Sequence, residues 1–194
     1  RSKTLRIIGV PEARYREVLT INPNEVNALL AQADLALSRG QLEPAIAPLL
    51  KAISADPSNV EAHVRVISVY LNLGNTIEAQ RQARELQARF PESGIAAEMM
   101  ARVEVAMGNN KSAANNFRNA ARFTSFDGDA LLRIADEQGK LGDTEGARAT
   151  LLKAVDTARR DDANSRLVQL YLRNNDLEGA WKYARQVSAQ SQIG

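Results

Sequence analysis

The sequence predicts an all-α protein built from a repeated pair of antiparallel helices, because three residue types recur with one period. Prolines recur every 34 residues at Pro23, Pro57 and Pro91. Glycines with the same spacing are Gly40, Gly74, Gly108 and Gly142, and Asn175 follows after 33 residues. Alanines keep the same steps at Ala45, Ala79, Ala113, Ala147 and Ala180. A period of this length, shared by three residue types that shorten together at the last step, indicates a helical repeat array.

The composition favours the same fold class. Hydrophobic residues make up 44% of the 194 residues and aromatic residues only 5%. This balance suits a core of Ala, Leu and Val on closely packed helices, since Ala is the best helix former. Basic and acidic residues nearly cancel to a net charge of +2, which does not favour a dedicated nucleic-acid binder.

Each recurring residue has a physical task in the unit. Glycine ends the first helix, called helix A, in a left-handed conformation that Asn also tolerates. The residues that follow it are Gln41, Asn75, Asn109, Asp143 and Asp176. All but Gln41 are good caps for the second helix, called helix B. The alanine lets the two helices approach closely, and the proline closes helix B. One pair cannot bury its apolar face alone, so stacked units do so together.

These residues resemble the tetratricopeptide repeat family, whose pattern wants large apolar, small and alanine residues at fixed positions. The second unit matches it with Val66, Tyr70, Ala79, Leu86 and Pro91. The resemblance covers residues 10–190 and implies a right-handed superhelical solenoid of about five repeats. The implied boundaries are a partial repeat at 1–25 and repeats at 26–59, 60–93, 94–127, 128–160 and 161–194.

Some positions depart from the repeat pattern. Glu104 and Gln138 occupy the eleventh position, where bulk is expected, so the third and fourth repeats are predicted to open more easily. Pro48 lies inside a helix B and is predicted to kink or distort it.

Both ends of the chain resemble cut ends of a longer array. Residues 11–22 are predicted to form a helix B with Tyr15 and Val18 on its apolar face, and residues 1–8 a remnant of its helix A. At the other end Trp181 and Tyr183 are expected to lack a neighbour.

The sequence predicts no catalytic site, no cofactor and no metal site. Cysteine is absent, which removes thiolate chemistry and Cys-based metal sites. The one histidine, His63, falls at a packing position. Asp161, Asp162 and Glu43 fall at helix starts, where carboxylates offset the helix dipole. No apolar run reaches the length of a membrane span.

The resemblance implies that a protein or peptide partner binds along the concave face of the A helices. Positions 5, 9 and 12 of each repeat share one helical face. The candidate partner-binding residues are Leu30, Asp34, Leu37, Val64, Ser68, Leu71, Glu98, Arg102, Val105, Leu132, Asp136, Gln169 and Leu172. They describe an apolar stripe with a polar central row. The alternative is that some of the Leu and Val residues only complete packing between adjacent A helices.

Three further features bear on the partner. Relatives that bind chaperone carboxylates carry Lys and Asn where this chain has Leu30 and Asp34, which disfavours that role. The B helices carry Arg81, Arg84, Arg89, Arg118 and Arg122. These arginines leave polyanion or nucleic-acid binding as the alternative function, although a solvated face explains them more simply. A 34-residue period and an apolar helix-A face disfavour base readout of the pentatricopeptide kind.

The Ala-rich units, with stretches such as ARFP, also resemble bacterial repeat lipoproteins and periplasmic scaffolds of exopolysaccharide or PEP-CTERM systems. That resemblance implies a scaffold within a larger assembly at the periplasmic side of the bacterial cell envelope. A third hypothesis is a regulator whose catalytic part lies outside this segment.

Overall fold

The computed structural model describes the backbone of residues 12–190 and the side chains of residues 12–187. Eleven α-helices and no strand are found there, and the helices hold 80% of the described residues, which confirms the all-α prediction. The helices are α1 Glu12–Ile21, α2 Val26–Ser38, α3 Leu42–Ala55, α4 Val60–Asn72, α5 Thr76–Arg89, α6 Gly94–Ala106, α7 Asn110–Phe123, α8 Gly128–Lys140, α9 Thr144–Ala154, α10 Arg160–Arg173 and α11 Leu177–Gln190. The chain divides into two compact units, residues 1–89 and residues 90–194.

The first unit, in its described part, contains α1 to α5. Helices α2 and α3 form one A–B pair and α4 and α5 the next, while α3 packs on α4 and α1 on α2. Leu29, Leu49, Ile67 and Leu86 are large apolar side chains that are fully buried in this core. Six alanines between Leu29 and Leu86 are fully buried as well, so the helices approach closely at small residues: Ala33, Ala45, Ala52, Ala62, Ala79 and Ala83.

The second unit contains three pairs, α6 with α7, α8 with α9, and α10 with α11. One hydrophobic cluster runs through all three pairs. Phe117, Leu131, Ile134 and Leu167 are its fully buried large members. The repeat period therefore places each pair's apolar residues against those of the next pair.

The turns between helices A and B follow the predicted chemistry. The four recurring glycines have φ between 71° and 78°, and Asn175 has φ 56°. The side chains of Asn75, Asp143 and Asp176 accept backbone N–H bonds from the residue three positions later, as N-caps do. Asn109 makes no side-chain capping bond, and its amide nitrogen donates to Glu104 Oε2 at 2.8 Å.

The first described helix confirms that residues 12–21 are helical, with Tyr15 buried. Val18 is 39% exposed, so its assignment to the apolar face was wrong. The expected remnant at residues 1–8 lies outside the described residues. Helix α3 continues past Pro48 from Leu42 to Ala55, so this proline does not end the helix.

Two expectations about large side chains were also wrong. Tyr183 is buried, and its ring stacks on Tyr171 with 5.6 Å between ring centroids. Trp181, in contrast, is 64% exposed, as expected. Gln138 does not leave a core position underfilled, because its side chain is fully buried and accepts a bond from Thr150 Oγ1 at 2.7 Å.

Candidate partner-binding face

The A helices of the first unit are joined by an ion pair. Arg65 on α4 lies 2.9 Å from Asp34 on α2 and 2.6 Å from Glu61, one turn earlier on its own helix. Burial raises the pKa of Asp34, and the nearby Arg65 opposes that rise. Asp34, predicted to face a partner, is therefore engaged by the neighbouring A helix.

The A helices of the second unit are joined in the same way. Arg133 on α8 donates two hydrogen bonds to Glu98 on α6, at 2.8 and 2.9 Å. These bonds raise the pKa of Arg133. Arg166 on α10 lies 3.2 Å from Asp136 on α8. Ion pairs thus hold α6 beside α8 and α8 beside α10.

The three bridging arginines, Arg65, Arg133 and Arg166, each stand at the sixth position of their repeat. Each reaches back to a carboxylate of the preceding A helix in its own unit. Sequence reasoning missed them, although their shared position was a visible signal. They form part of the candidate face and fix the spacing of its helices.

Burial separates the predicted partner-binding residues into two groups. Leu30 and Leu132 are buried at 6% and 3% exposure, and the Glu98 side chain is 4% exposed. All three stand at position 5. Burial at this level is what the packing alternative expects for Leu30 and Leu132, and all three side chains present little surface to a partner.

The other predicted residues of the first unit lie partly at the surface. Leu37, Val64, Ser68 and Leu71 are half-buried. The Ser68 hydroxyl donates to the Val64 carbonyl oxygen at 2.8 Å. Apolar side chains at position 12 therefore remain accessible along one edge of α2 and α4.

In the second unit the same face is more open. Val105 and Leu172, at position 12 of α6 and α10, are 37% and 49% exposed. Gly139 occupies that position on α8, and a Cβ there would meet nothing within 4 Å. The position 9 residues Arg102, Asp136 and Gln169 are exposed. An apolar row with a gap at its centre thus borders a polar row.

The basic B-helix residues are partly neutralised within each unit. Arg81 donates to Glu78 at 2.9 Å, and Arg118 donates two bonds to Asp143 at 2.8 and 2.6 Å. The Arg122 guanidinium lies 5.2 Å from the Phe123 ring centroid. This pairing weakens the positive electrostatic potential that would attract a polyanion to the B helices.

The predicted packing role of His63 is confirmed. Its ring is fully buried, and its Nε2 lies 3.2 Å from the Pro57 carbonyl oxygen. Within residues 12–187 no cluster of metal-ligating side chains occurs. None of the helices in the described part of the chain is long and apolar enough to cross a membrane.

Comparison with known families agrees with this geometry. Models of the tetratricopeptide repeat match residues 12–60 and residues 128–161. The chain is 33% identical over 69 residues to the TPR repeat-containing thioredoxin TTL4 of Arabidopsis thaliana, covering 36% of this chain. It spans only 10% of that relative's length. Together with the paired helices, these matches show that the chain contains tetratricopeptide repeats at residues 12–60 and 128–161.

Solved structures share the fold at low sequence identity. PilF of Pseudomonas aeruginosa superposes with a TM-score of 0.65 at 20% identity, over 92% of this chain and 82% of its own. PilW, a type IV pilus biogenesis factor, superposes with a TM-score of 0.65 at 16% identity, over 94% of this chain and 85% of PilW. YrrB, a TPR protein with an unusual peptide-binding site, superposes with a TM-score of 0.57 at 20% identity, over 89% of this chain and 90% of YrrB. At these identities the likeness is one of fold.

Proposed function

We propose that the chain binds a protein or peptide segment on the face formed by its A helices. The observation that carries the proposal is the exposed row in the second unit, where Val105 and Leu172 flank Gly139. Exposed apolar side chains aligned on neighbouring helices are typical of an interaction surface. Gly139 costs helix stability relative to Ala without a packing reason, and it leaves room for a partner's side chain.

The polar row gives the same face its selectivity. Arg102 and Gln169 offer a cation and an amide beside the apolar row, and Asp136 adds a carboxylate that is paired with Arg166 but still 48% exposed. The ion pairs Glu98–Arg133 and Asp136–Arg166 hold the three helices in place, so the face is formed before a partner arrives. Preorganisation of this kind reduces the entropy cost of binding.

Peptide selection on the immobilised chain tests this proposal, followed by affinity measurements by fluorescence anisotropy. Leu172→Asp places a charge in the apolar row, and we expect a loss of about 100-fold in affinity, since an unpaired carboxylate in an interface costs several kcal/mol. Arg84→Asp, on α5 in the other unit, is the control and should bind normally. Because Leu172 is half exposed, the fold should survive, which thermal melting verifies. Normal binding by Leu172→Asp would refute the proposal.

Our proposal for location follows from the resemblance to envelope scaffolds: a larger assembly at the periplasmic side of a bacterial cell envelope. Fractionation of the native cells with an antibody against this chain tests it. Recovery in the cytoplasmic fraction alone would refute it.

A further inference from the structure

A recess lies between helices α7 and α9 of the second unit, away from the exposed row of the A helices, and is lined by B-helix residues together with Gln138 of α8. Its volume is about 440 Å³. Ala121 and Ala149 give it small apolar walls, and Gln138 and Thr150 also line it. We call this recess the α7–α9 cleft. Small walls leave space for a side chain of another molecule.

Among the residues that line the cleft is a polar group without a partner. Gln138 is fully buried, and its Oε1 accepts the Thr150 hydroxyl hydrogen at 2.7 Å. Its Nε2 has no acceptor among the described residues. Buried amide donors in native proteins usually have an acceptor, so Gln138 Nε2 is suited to an acceptor that enters the cleft.

The rim of the cleft is positively charged after its internal pairs are accounted for. Asp143 engages Arg118, and Arg148 engages Glu145 at 2.6 Å. Lys153 and Arg122 are the cations of the rim that lie outside these two pairs. Lys153 Nζ donates to the carbonyl oxygens of Ala121 and Arg122 at 2.8 and 3.2 Å, and an ammonium has a third hydrogen to donate.

We propose that the α7–α9 cleft binds the carboxylate of an acidic side chain, Asp or Glu, carried by a partner protein. A carboxylate supplies the acceptor that Gln138 Nε2 lacks and the negative charge that Lys153 and Arg122 attract. Such hydrogen bonds to ionised groups are stronger than neutral ones. The small apolar walls accommodate the methylene groups that precede the carboxylate.

A phosphate backbone fits this cleft less well. Arg118 is already occupied by Asp143, which leaves two cations for a ligand that normally needs a longer basic track. Within the part of the chain that the structure describes, no aromatic ring lines the cleft for base stacking. An acidic protein segment therefore matches the charge and the walls better than nucleic acid.

Nuclear magnetic resonance of the ¹⁵N-labelled chain tests the proposal, because the Gln138 side-chain amide gives its own signals. The probe is the peptide acetyl-Leu-Glu-Leu-Glu-amide, and its matched control is acetyl-Leu-Gln-Leu-Gln-amide. We expect the acidic peptide to shift the Gln138 side-chain signals and to bind about tenfold more tightly than the amide peptide.

Arg122→Gln should weaken the acidic peptide about tenfold, whereas Arg84→Gln, an exposed arginine on α5, should leave it unchanged. Both side chains are at the surface, so the variants should fold, and their amide spectra verify this. Equal binding of the two peptides, or no shift at Gln138, would overturn the proposal. Tighter binding of a twelve-residue oligothymidylate than of the acidic peptide would overturn it in favour of nucleic acid. None of these results depends on the A-helix face.

Discussion

Removal of the Arg133 side chain should destabilise the second unit markedly, because it leaves the Glu98 carboxylate buried without its partner. The Glu98 side chain is 4% exposed, and both of its oxygens accept bonds from Arg133 at 2.8 and 2.9 Å. A buried charge that loses its partner typically costs about 3–5 kcal/mol. Arg133 itself is 50% exposed, so solvent already screens part of the interaction.

We therefore expect Arg133→Met to lower the free energy of unfolding by about 2–3 kcal/mol. In a chain of this length that change lowers the melting temperature by about 5–10 °C. The measurement is thermal and urea unfolding followed by far-UV circular dichroism. Glu98→Leu combined with Arg133→Met should recover most of the loss, since an apolar pair of similar volume removes the unpaired charge.

Arg166→Met is the matched control, because it breaks an ion pair at the same repeat position on the next A helix. The carboxylate of that pair is far more exposed, at 48% for Asp136 against 4% for Glu98, so removal of the Arg166 side chain leaves a charge that solvent screens. The expected cost is about 0–1 kcal/mol. The reasoning would be refuted if Arg133→Met and Arg166→Met had equal effects, or if the double variant were as unstable as Arg133→Met alone.

Three further predictions concern stability. Hydrogen bonds from Arg118 lower the pKa of Asp143 in the folded chain below its ordinary 3.8. The ionised Asp143 carboxylate therefore contributes its full stabilisation above about pH 3.8, and this stabilisation is lost as the pH falls through the lowered pKa of the folded state. The melting-temperature gap between wild type and Asp143→Asn should therefore be constant from about pH 5 to about pH 8 and close below about pH 4; a gap that widens in acid would contradict this. Pro48→Ala restores a backbone N–H that can bond within α3, and this gain should outweigh the small cavity that the substitution leaves. We expect the free energy of unfolding, measured in urea, to rise by about 1–2 kcal/mol. A decrease would mean that the packing of the Pro48 ring contributes more than the restored hydrogen bond. Hydrogen exchange should be faster in residues 96–138 than in residues 60–90, because Glu104 places a half-buried carboxylate where the repeat pattern has an apolar side chain, and slower exchange there would overturn that reasoning.

Local chemistry made much of the fold predictable from the sequence. The left-handed turn positions need glycine or asparagine, so residue type and spacing alone were enough to assign Gly40 and Asn175 to turns. Helix boundaries followed from the same residues, and Tyr15 and His63 were correctly assigned to packing positions. These features depend on residues close together in the chain.

The candidate face was harder to predict, because burial there depends on how neighbouring A helices stack. Leu30 and Leu132 share a helical face with accessible residues, yet the packing of the helices buries them. Glu98 is buried because Arg133, 35 residues later, neutralises it. Periodicity within one helix contains no information about such a partner.

A polar residue at a packing position raised a related difficulty. Gln138 was expected to weaken the core for lack of bulk, but Thr150 on the next helix satisfies its carbonyl oxygen. The free amide donor of Gln138 became visible only when α7, α8 and α9 were seen together. A site formed by three helices leaves little trace in the sequence of any one of them.

The central claim, that the A-helix face binds a protein segment, is tested most directly by hydrogen exchange of the chain with and without a peptide selected for binding. Binding at this face should slow exchange in the A helices that carry the exposed row, α6, α8 and α10, because the peptide covers Val105, Gly139 and Leu172. Exchange in α7 and α9 should not change. Slower exchange confined to B helices, with α6, α8 and α10 unaffected, would contradict the claim.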